Sequence, residues 1–220
     1  MLLFFRRLWE SGWRNRLMLL FGAAVLLGAV VGVVYGIVTR AGDEGFLQDR
    51  GQPLVWAPSD LPLTCFHDDS VHSSHLTLYN RARRELQTRT EKDLVGPCVA
   101  WAAPSPFPRK PARGLLLLRV TAETTWGAPT SGLTVETPWT SHPGGQTWPF
   151  AYPDTPGRLF GAILHVDPAH ASNYAVWLHE LGHVLGLAHD RVRSSIMWPI
   201  IQERPGSLSD KDVKALQSVY

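Results

Sequence analysis

Three histidines and a glutamate fall within twelve residues, HELGHVLGLAHD from His179 to Asp190, and their spacing leaves few ways to arrange the backbone around them. His179 and His183 stand four apart, so a helix presents both imidazoles on one face, where they can hold one zinc ion at about 2.0–2.1 Å. Glu180, one residue along, is too far round the helix to be a ligand in the same plane but can reach a water at the metal. A third protein ligand must come from elsewhere. Gly186 can take a left-handed backbone conformation that ends the helix and turns the chain back, bringing His189 to the same ion. HExxH alone arises by chance on amphipathic helices; with Gly186 and His189 at the further offsets the stretch reads as a three-histidine site with a general base.

A second stretch constrains where such a site works. Residues 17–38, LMLLFGAAVLLGAVVGVVYGIV, carry no charge over 22 positions, enough to span a bilayer. A cleaved signal peptide is the rival reading, but its apolar core is shorter and ends in a small-residue cleavage site, whereas this run exits through VTRAGDEG. An uncleaved transmembrane helix is expected. Arg6, Arg7, Arg14 and Arg16 precede it, against Arg40, Asp43, Glu44 and Asp49 after it, so residues 1–16 are expected in the cytoplasm and the remainder outside, as a single-pass membrane protein. Gly28, Gly32 and Gly36, following Ala24 at the same interval, line one helical face and would let two spans approach closely in self-association.

Residues 39–58 mix Gly, Pro and charge without period and read as a stalk, leaving residues 59–220 as the catalytic domain. Nine Trp and 45% hydrophobic residues suffice for a core. A formal charge of +2 supplies no basic surface for nucleic acid, so no nucleic-acid partner is expected. LPLTCFH, CVAW, GLLLLRVTA, GLTVET and RLFGAILHVDP have strand character, and SVHSSHLTLYNRARRELQTRT, Asn173 to Leu187 and SLSDKDVKALQSVY have helical spacing. Asn173 and Ser209 are candidate caps for the second and third of these helices. Most of residues 124–157 reads as loop. The order predicts an α+β fold with a twisted, mostly parallel sheet and three helices. Asp69 or Ser70 is expected to cap the helix after HDDSVHSSH, with His72 and His75 on its solvated side. Cys65 and Cys98 both lie beyond the apolar run; a disulfide between them is expected, with two free buried thiols or a thiol acting on the metal as alternatives.

HELGHVLGLAHD followed by SSIMWP resembles the metzincin zinc endopeptidases, with HExxHxxGxxH and a Met-turn, and the closing LSDKDVKALQSVY is most similar to the matrixin (peptidase M10) branch. The resemblance is specific over residues 159–220. It implies a zincin-like domain in which His179, His183 and His189 are zinc ligands, Glu180 is the catalytic base and Met197 is a buried floor beneath the metal. It also implies an antiparallel edge strand that pairs with the substrate backbone, matched here by FGAILHV, with Ala162, Ala175, Pro199 and Ile200, followed by Ile201, about the substrate pocket. The chain departs from the matrixin pattern at Asp190, where Ser or Thr is usual, and at Trp198 in place of Tyr. No cysteine-switch propeptide is legible, so control is expected to come from elsewhere. A structural Ca2+ or second Zn2+ has only His142 and His165 as isolated candidates. These features imply a protein or peptide substrate outside the cytoplasm; the rival functions are a membrane-tethered zinc-containing binding module and a zinc hydrolase of cell-wall peptides.

Overall fold

The apolar run Leu115–Val120 (LLLLRV) is bounded by glycine and threonine and is buried almost throughout, as a central parallel strand must be. It is β6 in a computed structural model that describes residues 45–49, 51–102, 107–108, 110–121, 144–200 and 205–220. The other strands are β1 (Gln48–Asp49), β2 (Gln52–Pro53), β3 (Val55–Trp56), β4 (Leu63–His67), β5 (Val95–Ala100), β7 (Gly145–Ala151) and β8 (Arg158–Val166). Strands β3, β8, β6, β4 and β5 form a parallel sheet in that order, and β7 joins β8 antiparallel. Three helices follow the expected pattern: α1 (Ser73–Thr90), α2 (Tyr174–Val184) and α3 (Asp210–Val219).

Tyr79, Ala82 and Leu86 recur at helical spacing on α1 and are buried, so α1 packs one stripe against the sheet. Its cap differs from the sequence expectation. The helix begins at Ser73, and the N–H of its N-cap His72 donates to His75 Nδ1 at 3.2 Å. Asp68, rather than Asp69 or Ser70, organises the approach by accepting from Ser70 N–H at 3.1 Å. The main core lies between sheet and helices and includes Trp56, Leu116, Leu118, Leu164, Trp177 and Leu181. On the opposite face Leu117, Phe150 and Ile163 form a smaller cluster under Phe66, Phe107, Trp148 and Phe160. Cys65 and Cys98 are register partners on β4 and β5 and are joined as a disulfide.

Two expectations are corrected. The folded unit runs from Gly45 to Tyr220, so most of the residues assigned to a stalk belong to it. Phe46, Leu47, Leu54 and Trp56 are buried there, a burial that the intervening charges and glycines conceal in the sequence. The segment matched to an edge strand, FGAILHV, is instead internal: β8 pairs with β6 from Gly161 to Val166 and with β7 over the same residues. The antiparallel edge is β7, within the region read as loop. GLTVET, His142 and Ile201 lie outside the described residues, as do residues 1–16, the expected anchor 17–38 and its Gly28, Gly32 and Gly36. Among the described residues no helix is long and apolar enough to cross a membrane.

Candidate metal centre

The side-chain carbonyl of Asn173 accepts from Ala175 N–H at 3.0 Å and starts α2, which buries His179, Glu180 and His183 at 1–2% exposure. The helix closes on a left-handed Gly186 with φ +89°. Leu187 N–H donates to Gly182 O and Gly186 N–H to His183 O, both at 2.9 Å, the two bonds of a Schellman turn. A Cβ on residue 186 would lie 2.1 Å from Leu54 O, so the position also requires glycine because the backbone entering β3 crosses it. Leu47 N–H donates to Gly186 O, Ala188 N–H to Gly45 O, and Trp56 Nε1–H to Val184 O, so the N-terminal residues of the folded unit support the turn.

That turn brings the ligands together. One nitrogen from each of His179, His183 and His189 lies within 4.8 Å of the others. His183 Nε2 and His189 Nε2 are 3.2 Å apart, where two nitrogens at about 2.0–2.1 Å from a tetrahedral ion stand about 3.3 Å apart. The backbone also fixes the tautomers. His179 Nδ1 faces Ile196 O and His183 Nδ1 faces Leu187 O, each at 2.7 Å; a carbonyl only accepts, so both Nδ1 atoms carry protons and both Nε2 lone pairs face the centre. The residues present therefore fit a zinc ion.

Met197 is buried with its sulfur against Gly182, where a Cβ would come within 2.5 Å of it. Beneath it Asp212 of α3 accepts from Ser195 Oγ at 2.6 Å and from Ile196 N–H at 3.1 Å, holding the strand of chain whose carbonyl orients His179. Asp190 Oδ2 lies 2.8 Å from Lys211 Nζ and Asp190 N–H donates to Met197 O, so the residue that departs from the matrixin pattern ties the His189 loop to α3.

Glu180 lies against β7. Thr147 Oγ1 is 2.8 Å from Glu180 Oε2, a contact that the sequence offered no signal to find. Gly144 O accepts from Asp167 N–H at 3.0 Å, so the backbone groups of alternate residues Gly145, Thr147 and Pro149 face away from β8, toward the edge left open among the described residues. Pro149, lacking an N–H, thus sits where β8 requires no donor. Of the pocket candidates, Ala162 and Ala175 are both closed in the main core, while Pro199 is half-buried and Ile200 exposed. His165 is buried on β8, and among the described residues the three-histidine group is the one cluster able to hold a metal.

Residues 85–220 match the family model described as matrixin, peptidase M10. The chain belongs to the matrixin family. It is 34% identical over 86 residues to stromelysin-2 of Rattus norvegicus, covering 34% of this chain and 18% of that protein. It is 44% identical over 57 residues to matrix metalloproteinase-2 of Drosophila melanogaster, covering 24% and 8%. The chain therefore aligns with less than a fifth of either relative's length. High choriolytic enzyme 1, a hatching enzyme zinc-protease of Oryzias latipes, superposes at a TM-score of 0.40 and 11% identity over 76% of this chain and 94% of that one. Matrixins use a catalytic zinc, and the His179, His183 and His189 triad of this one could bind it.

Proposed function

We propose that this matrixin is a zinc-dependent endopeptidase, anchored by residues 17–38 and cutting peptide bonds outside the cytoplasm. The observation that carries the catalytic part is the placement of a buried carboxylate, Glu180, beside three imidazoles whose Nε2 atoms converge. A bound zinc would polarise the scissile carbonyl and acidify the attacking water. His179, His183 and His189 would hold the ion. Glu180 accepts the water's proton on its carboxylate and returns it to the leaving amine. An extended substrate pairs with the outward N–H and C=O groups of Gly145 and Thr147, adding a strand to the sheet edge.

Glu180→Ala is expected to keep its zinc and fold while peptide hydrolysis falls by at least about 10²-fold, the lower end of what a positioned acid–base group contributes. His183→Ala should lose metal and activity together. Zinc content and cleavage of a peptide library, measured on both variants and wild type, decide the matter: undiminished cleavage by zinc-loaded Glu180→Ala removes the mechanism, and a wild type that binds zinc but cuts nothing favours the tethered binding module. The anchor rests on the uncharged run and on the arginines before it. Protease added to intact cells should remove the C-terminal domain; protection until the membrane is opened overturns this orientation.

A further inference from the structure

Thr147 stands at a junction on β7. Its backbone N–H and C=O face the edge left open among the described residues, while its side chain lies on the α2 face of the sheet with Oγ1 2.8 Å from Glu180 Oε2. The same oxygen is 3.1 Å from the Glu180 carbonyl, but a hydroxyl has one proton, and the shorter approach to a carboxylate takes it. Thr147 and Glu180 are 3% and 2% exposed, so the bond forms where bulk water does not compete for it. Gly145, on the same face, completes the cradle: a Cβ there would come within 2.7 Å of Glu180 Cγ, so the stem of the glutamate rests on bare backbone.

We propose that Thr147 is a positioning residue for the base, aiming the Glu180 carboxylate through an O–H···O bond to Oε2 while its own main-chain groups receive the substrate strand. One residue then sets the register between a paired peptide and the group that moves its proton. This rests on the reading of Glu180 as the base. Loss of the hydroxyl leaves the main-chain pairing intact, so it acts on turnover rather than on substrate binding.

The test uses the full zinc-loaded chain with Thr147→Val, which keeps the side chain's shape, and Thr147→Ser, which keeps the hydroxyl. Val should retain zinc content and melting temperature, hold KM within about twofold and lower kcat by about 10- to 100-fold, the factor set by one hydrogen bond to a charged group. Ser should recover most of that loss. A peptide hydroxamate, which chelates zinc and presents an acidic O–H to the base, should bind more weakly to Val than to Ser or wild type by calorimetry. Wild-type kcat in Val, or Ser as slow as Val, overturns the proposal. Should Val prove unstable, Thr147→Ser against Thr147→Ala, a pair differing only by the hydroxyl, decides in the same way. If Glu180→Gln keeps wild-type turnover, the base reading falls instead, whatever the Thr147 variants do.

Discussion

Buried on β8, the imidazole of His165 is held neutral, its pKa pushed down to about 4 first by burial and then by the Arg119 guanidinium, against the opposing pull of Asp68. In the unfolded chain the same group titrates near 6.5, so between these values the unfolded state binds more protons and stability rises with pH. The contribution is intact above about pH 6.5 and is lost as the pH falls toward 4, by up to about 3 kcal/mol. Urea midpoints measured from pH 7 to 4 should therefore fall more steeply for wild type than for His165→Gln; parallel profiles reject the assignment. His165 was legible in the sequence only as a stray possible ligand, because nothing local records what packs around it. The convergence of His179, His183 and His189 was legible because their offsets are themselves the geometry: four residues on a helix, then a glycine turn. Thr147 reaches Glu180 across 33 residues, through a strand register that no local pattern encodes.

Elements were readable wherever their burial left a period in the sequence. β4, β6, β8 and all three helices lie where apolar runs and helical spacing place them. β7 was not readable because GQTWPFA carries a glycine and a proline and buries residues on both faces: Thr147 toward α2, Phe150 toward the aromatic cluster. Its proline is compatible with a strand only because position 149 directs its missing donor away from β8, a fact known only once the register is known. FGAILHV was matched to an edge strand through the family resemblance, and its own pattern spoke against the match. A continuous apolar run marks a strand covered on both faces, which argues for the interior of a sheet rather than its rim. Residues 45–57 hid for a related reason. Their strands are two residues long, too short to show alternation, yet Leu54 O and Trp56 Nε1–H meet the backbone of the turn between His183 and His189. A soluble form of the domain consequently needs to begin at Gly45 and not at residue 59.

Across the whole molecule the metal centre is built from both ends of the folded unit. Gly45, Leu47 and Trp56 bind the turn between His183 and His189, and Tyr220 joins them, accepting from Trp56 N–H at 3.3 Å and donating its O–H to Leu185 O at 2.9 Å. The tightest of these links is Asp212. Its buried carboxylate accepts from Ser195 Oγ, Ile196 N–H, Ser209 Oγ and Ser209 N–H at 2.6 to 3.1 Å, so a single side chain both caps α3 and fixes the Met-turn. Ile196 in turn offers its carbonyl to His179 Nδ1, which sets that ligand's orientation. Asp212→Ala should thus cost about 2–4 kcal/mol of stability, since it leaves buried donors without an acceptor, and should also weaken zinc retention in the protein that remains folded. Leu216→Ala, a cavity in the same helix's buried face, is the comparison: it should cost a similar 2–5 kcal/mol or so with little change in zinc affinity. Melting curves and chelator competition on the two variants separate the effects. Equal zinc affinity in both, at matched loss of stability, would show that α3 supports the fold but does not tune the metal centre.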